Sequence, residues 1–247
     1  MAGPTGAVGS ASIAQPQYWW YQEREALLRA ALSRYVGEPT RVLDVGSADG
    51  PSVAWLRGAG KVTSLDIDPR GLGPGGVCGS ALALPFGDGS FDVVAAFDVV
   101  EHCEPEGTAL AELTRVLAPG GRLLMSVPAY RWAWTHFDDV NGHHRRYTRG
   151  RAVAAVRAQG LDVQRASYAF MGTFPTFAVE RLARRVAERA RGHRPSLAPG
   201  EVPPLPQVPP PVERALRALC RLDERLLPSR DLPFGSSVLV AATKPAG

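Results

Sequence analysis

The stretch Val42–Gly50, VLDVGSADG, decides how the chain is read. A short apolar run carries an aspartate near its end and breaks into a turn of small residues, among them Gly46, Ser47, Ala48 and Gly50. Such a run reads as a buried strand that delivers Asp44 to a strand-to-helix turn. Small side chains there let a ligand approach the backbone, and exposed N–H groups at a helix start favour an anionic group. The next apolar run closes at Asp66, in LDIDP, where a carboxylate can accept hydrogen bonds from both hydroxyls of a ribose. The same spacing suits a nicotinamide dinucleotide, and an Asp66 that only opens the turn before Asp68-Pro69 would require no nucleotide at all.

Outward from this stretch, strands alternate with helices. Tyr18–Tyr35 reads as an amphipathic helix opening on YWWY, Arg41–Val45 and Lys61–Ile67 as strands, and Pro51–Leu56 as a short helix with proline in its first turn. A weak strand is expected near Val77–Cys78 and a buried one at Phe91–Phe97. Thr108–Leu117 reads as a helix, ended by Pro119-Gly120-Gly121 and followed by a strand over Arg122–Val127. Thr148 can cap a helix running to Gly160, and Leu161–Tyr168 is strand-like. After Phe170 the rhythm breaks: a basic amphipathic helix over Phe174–Arg191, the proline-rich PSLAPGEVPPLPQVPPP, a helix over Val212–Leu227, and a final strand over Ser237–Thr243. The alternation predicts an α/β domain with a parallel sheet wrapped by helices.

Five blocks in order, VLDVGSADG, SLDIDP, ALPFGDGSFDVV, VVEH and VLAPGGRLLMSVP, resemble the class I S-adenosylmethionine-dependent methyltransferases. The resemblance runs from Val42 to Pro128 and implies a Rossmann-like, seven-stranded, mostly parallel sheet with helices on both faces and an antiparallel last strand. It implies S-adenosyl-L-methionine as cofactor and S-adenosyl-L-homocysteine as product. Asp44, Gly46, Ser47 and Ala48 would border the methionine part, Gly50 would belong to the same cofactor site, Asp66 would hold the ribose and Ile67 would pack against the adenine. Ser80 and Ala81 would flank the base, and Phe97 would face the cofactor. Two positions depart from the usual pattern: Ala48 stands where a glycine is common, and Ser80 where an acid is. A subgroup with an aromatic N-terminal helix, a W-x-x-x-D-x-x-x-G-H-x-R-R-Y loop and an LPFG lead-in to the last strand is similar to this chain at Tyr18–Tyr21, Trp134–Tyr147 and Leu232–Gly235.

Ligands of open parallel sheets sit beyond the C-terminal strand ends, so the loop after the fifth strand, Ala129–Tyr147, is expected to line the acceptor pocket. It contains HFDDVNGHHRRYTR, with three of the five histidines of the chain. His143 is the first candidate for general base, since a neutral imidazole suits proton removal near pH 7; it could equally brace the loop. Asp138 could orient His143 or cap a turn, and Tyr147 joins them as a catalytic candidate. Arg145 and Arg146 could bind a carboxylate or phosphate, although one of them could pair with a loop acid. With Tyr18, Trp19 and Trp134 they make the expected acceptor contacts. No metal is expected. The alternatives are magnesium on Asp98, Asp138, Asp139 and Asn141, or zinc on His136, His143 and His144.

The chain has 247 residues and a formal net charge of +4, with twelve arginines against three acids between Arg145 and Arg194. Three cysteines without paired spacing argue for a reducing compartment, and the first fourteen residues lack the pattern of a signal peptide. The expectation is a cytoplasmic protein, with a disordered tail over 1–14 and a single domain over 15–247. Residues 171–235 would be a helical and proline-rich insertion between the last two strands. The expected acceptor is a small molecule or a lipid- or sugar-linked group, methylated on oxygen. The segment 170–191 offers peripheral membrane contact, and nucleic acid is not an expected partner. A non-catalytic cofactor-binding protein, or an RNA or protein methyltransferase, are the competing readings.

Overall fold

The computed structural model describes residues 15, 17–47, 54–191 and 205–246. The expected tail over 1–14, the helix start at Pro51, Ala48, Gly50 and most of the proline-rich stretch lie outside them.

Helix α1 (Trp19–Leu32) precedes strands β1 (Arg41–Val45), β2 (Lys61–Asp66), β3 (Val77–Cys78) and β4 (Phe91–Phe97). Then come α2 (Glu106–Val116), β5 (Leu117–Pro128), the short α3 (His136–Val140), α4 (Arg149–Arg157) and β6 (Asp162–Ala169). Helices α5 (Phe174–Arg191) and α6 (Pro210–Leu226) separate β6 from β7 (Ser237–Thr243). The seven strands form one sheet in the order β3-β2-β1-β4-β5-β7-β6. The first five run parallel, and β7 enters antiparallel between β5 and β6. The fold is Rossmann-like, as the blocks implied. Strand order reverses between β1 and β4, so the carboxyl ends of these strands flank the switch-point crevice where open α/β sheets bind ligands.

Burial follows from the apolar runs. Val42, Leu43 and Val45 of β1 and Val93–Ala96 of β4 are fully covered, as expected for strands enclosed on both faces. The polar residues of the LPFGDGSFD block hold edges rather than ligands. Asp92 accepts from the backbone of Thr40 and Arg41 at 2.9 Å each, pinning the start of β1, while Arg115 of α2 pairs with Asp88 at 2.7 Å and donates to the Phe86 carbonyl.

Two polar clamps hold the C-terminal elements. The guanidinium of Arg165, buried on β6, donates to the Ala31 and Leu227 carbonyls at 2.6 Å each, to the Arg230 carbonyl, and to Asp231 at 2.8 Å. One side chain thereby ties the ends of α1 and α6 to the sheet. Buried Asp223 of α6 accepts from the Gly172 amide at 3.1 Å. Among the described residues no helix is long and apolar enough to cross a membrane.

Candidate active site

At the end of β1 the side chain of Asp44 is almost fully enclosed, and its Oδ2 has no hydrogen-bond partner among the described residues. Desolvation raises its pKa to about 7, against the opposing effects of a hydrogen bond with Ser47 and the charge of Arg24. The turn that follows is pinned to β2, since the amides of Gly46 and Ser47 both donate to the Leu65 carbonyl, at 2.8 and 3.1 Å. Gly46 has φ +71°, and a Cβ there would collide with the Val99 side chain, so only glycine fits. Asp66 ends β2, nine-tenths covered, and accepts from the Asp68 amide at 2.8 Å. Beside it Ile67 is 59% exposed, an apolar surface open next to a carboxylate. Ser80 accepts from the Leu82 amide at 3.2 Å, Ala81 packs against the core, and Phe97 lies with its ring 6.5 Å from that of Trp55. Parallel pairing brings Asp44, Asp66 and Phe97 to one edge of the sheet.

On the other side of the switch point stands Asp98, at φ 57°, just past β4. Arg24 of α1 reaches it at 2.8 Å, and Ser126 of β5 donates to it at 2.9 Å. The turn Val100–His102 follows, with Glu101 completely buried. The histidine loop folds onto this turn: the His144 amide donates to the Glu101 carbonyl at 2.8 Å.

Asp138 organises that loop. Its Oδ2 accepts from the Thr135 amide at 2.9 Å, closing a capping box at the start of α3. Its Oδ1 meets His143 Nδ1 at 2.8 Å and accepts from Arg146 Nε at 2.7 Å. Desolvation alone would raise the carboxyl pKa, but the hydrogen bond with His143 and the charge of Arg146 outweigh it and bring it down to about 2. With Asp138 ionised, its Oδ1 can accept the Nδ1–H of His143, which leaves Nε2 as the ring's other nitrogen. The expectations that Asp138 orients the histidine and that it caps a turn both describe it. The ring of His143 packs edge-on against that of His102, with centroids 4.6 Å apart.

The third catalytic candidate, Tyr147, and the expected acceptor contacts are placed differently. Tyr147 is 1% exposed, donates to Glu106 at 2.6 Å and has its pKa raised by burial, so it is a core brace and not a catalytic group. Arg145 is buried against the Val100 and Cys103 carbonyls and Glu104. Arg146 is spent on Asp138 and on the Ala129 carbonyl at 3.0 Å. Both guanidinium groups are consumed in holding the loop to the sheet, which leaves neither for an acceptor anion. Trp134 donates to Asp139 at 2.9 Å, and Tyr18 to the Pro206 carbonyl at 2.7 Å. Trp19 is half-buried against the core. None of these three is brought to the His143 cluster by any contact among the described residues.

Helix α5 lies against the histidine loop. Its basic side faces the loop: Arg181 donates to Thr135 Oγ1 at 2.5 Å, Arg185 to the Trp132 carbonyl, and Glu188 accepts from the His136 amide at 3.2 Å. Val179, Leu182 and Val186 face outward, each more than half exposed. At its N-terminal end Phe174 joins Tyr130, Trp132, Phe177 and Phe234 in an aromatic cluster with centroid separations of 5.5–6.1 Å.

Sequence reasoning passed over Arg24 and Glu101. Arg24 interrupts the buried stripe of α1, between Trp20 and Leu27-Leu28, and a charge in an apolar stripe was the available signal. Glu101 sits inside the apolar run VVEH, but its complete burial depends on a loop far along the chain, at Asn141–Arg146.

The chain is similar to known methyltransferases. Residues 43–125 match the family model described as a methyltransferase domain. The malonyl-[acyl-carrier protein] O-methyltransferase of Methylococcus capsulatus is 32% identical over 164 residues, which cover 53% of this chain and 60% of that protein. The demethylmenaquinone methyltransferase of Beutenbergia cavernae is 34% identical over 129 residues, 47% of this chain and 52% of that protein. The chain thus spans little more than half the length of these relatives. Among solved structures, the N-methyltransferase NodS of Bradyrhizobium japonicum in complex with S-adenosylhomocysteine matches with a TM-score of 0.53 and 15% identity, over 94% of this chain and 90% of that one. That likeness concerns the fold alone.

Proposed function

We propose that this chain, whose residues 43–125 match a methyltransferase-domain model, is a class I S-adenosylmethionine-dependent methyltransferase that methylates an oxygen of a small-molecule or lipid- or sugar-linked acceptor. The observation that carries the reading is the Asp138–His143 pair, 2.8 Å apart beside the carboxyl end of β4. A hydroxyl must lose its proton as it becomes a nucleophile, and an imidazole fixed through Nδ1 by an ionised carboxylate presents Nε2 for that purpose. The buried, unsatisfied Oδ2 of Asp44 fits a ligand ammonium, Asp66 a ribose diol and exposed Ile67 the face of adenine. Gly46 and Ser47 would line the methionine part, with Ser80, Ala81 and Phe97 around the remainder. When bound, S-adenosylmethionine supplies an activated methyl group, and this chain's residues contribute orientation and proton removal.

The outward apolar stripe of α5 and the aromatic cluster at its start support an acceptor carried by an apolar or membrane-bound portion. The names of the relatives, one for a carrier-bound malonyl group and one for demethylmenaquinone, agree with acceptors of that range.

The test is calorimetry with S-adenosylhomocysteine, followed by an acceptor screen that reads the mass of one added methyl group. Asp66→Ala is expected to weaken cofactor binding by about tenfold, the loss of one good charge-assisted contact. His143→Ala should leave cofactor affinity intact and lower kcat by about 100-fold. Absence of cofactor binding defeats the reading. Intact binding without turnover of any acceptor would instead favour a non-catalytic cofactor-binding protein.

A further inference from the structure

We infer that Glu101, His102 and His143 form a binding site for one divalent transition-metal ion, with Zn²⁺ the best match. Each contributes one ligand atom, and the three atoms all lie within 4.8 Å of one another. One ion can therefore reach all of them after small side-chain adjustments. The decisive member is Glu101. It is fully buried, and neither carboxylate oxygen has a hydrogen-bond partner among the described residues. A buried carboxylate without partners is costly and needs either a proton or a cation.

The charges around it point to the cation. Asp98 has Arg24 at 2.8 Å, and Asp138 has Arg146 at 2.7 Å, with Arg181 4.0 Å away. Those two acids carry their own counter-ions, while Glu101 has no ion pair among the described residues. Glu101 feels Asp98 as a repelling neighbour, and Arg24 and Arg146 as weaker attractive ones.

The two histidines are prepared as ligands. His143 is tied through Nδ1 to Asp138, the carboxylate–histidine arrangement that fixes a ring and directs its other nitrogen at a metal. His102 retains exposed surface, so an ion can enter from solvent.

Two imidazole nitrogens and one carboxylate oxygen suit Zn²⁺ and its neighbours in the first transition row better than Mg²⁺ or Ca²⁺, which prefer oxygen. Three protein ligands leave a coordination position open. An ion there would take up the Nε2 lone pair of His143. An acceptor hydroxyl on the open position would then have its pKa lowered by the ion and would release its proton to solvent water rather than to His143. That consequence, but not the binding, rests on the hydroxyl-acceptor reading.

The experiment uses the full chain stripped with a chelator and then titrated with Zn²⁺ against a competing chromophoric chelator, and with Co²⁺ followed by its visible d–d bands. One ion per chain is expected. Glu101→Gln and His102→Asn, the first nearly isosteric and the second at an exposed position, should each weaken Zn²⁺ binding at least tenfold while keeping the native circular dichroism spectrum. The site is overturned if the folded wild-type chain binds no stoichiometric ion, or if both folded variants bind as tightly as wild type. Should the chain bind Zn²⁺ but fail to bind S-adenosylhomocysteine, the site stands and the methyltransferase reading falls. Cofactor binding without metal binding overturns the site and leaves the methyltransferase reading in place.

Discussion

Asp138 and Asp44 are both buried carboxylates, and their surroundings drive them in opposite directions. Asp138 is held ionised by His143 and Arg146, with its pKa depressed to about 2. Its contribution to stability is therefore present above the unfolded carboxyl value, about 4, and is lost as pH falls from there through 2. Asp138→Asn would leave Arg146 buried without its carboxylate, and should cost about 3 kcal/mol at pH 7. Urea titrations of both proteins at descending pH should show that difference shrinking below pH 4. A constant difference would mean that the charge is not what Asp138 contributes. Asp44, with its pKa raised to about 7, works the other way. Its ionisation costs the ligand-free protein stability as pH rises from about 4 towards 7. If it receives the cofactor ammonium, cofactor affinity should rise with pH across that value, and calorimetry on Asp44→Asn should show the slope abolished. The acids at the strand ends were legible in the sequence because their positions follow from strand length and turn composition. The roles of Arg145, Arg146 and Tyr147 were not, because three consecutive polar residues look alike whether they face solvent or the core.

At the scale of elements, α5 shows most clearly where local pattern stops. Its period is plain in the sequence, with Val179, Leu182 and Val186 on one side and arginines on the other. Which side faces the protein was decided elsewhere, by the open carbonyl of Trp132 and the hydroxyl of Thr135, which bind Arg185 and Arg181. The apolar stripe is left outward, where it can meet a membrane surface. Replacing Val179, Leu182 and Val186 together by serine should reduce sedimentation with anionic vesicles by about tenfold or more. Their exposure means that the thermal midpoint should barely change. Equal sedimentation of the two proteins would remove the membrane reading. Phe174 and Phe177 are poorer probes of the same idea, since they pack into the aromatic cluster and their loss would disturb the fold.

Across the whole molecule, the sheet is closed by polar groups that reach between distant segments. Arg165 is the main one, joining α1, β6 and the end of α6 through four acceptors. Arg165→Met should lower stability by about 3 kcal/mol, since it strands buried carbonyls and Asp231 together, and chemical denaturation would measure it. A loss below about 1 kcal/mol would show that water replaces the guanidinium. The sequence by itself determined the order of strands and helices, the placing of Asp44 and Asp66 at strand ends, and the position of the histidine loop after β5. All of these depend on local periodicity and on turn residues, which act over a few neighbours. The tertiary structure alone decided that β7 slots between β5 and β6, that α5 shows its apolar side outward, and that Glu101 is buried close to two histidines. Those outcomes depend on contacts between segments tens of residues apart, where burial and the competition for hydrogen-bond partners leave no local trace in the chain.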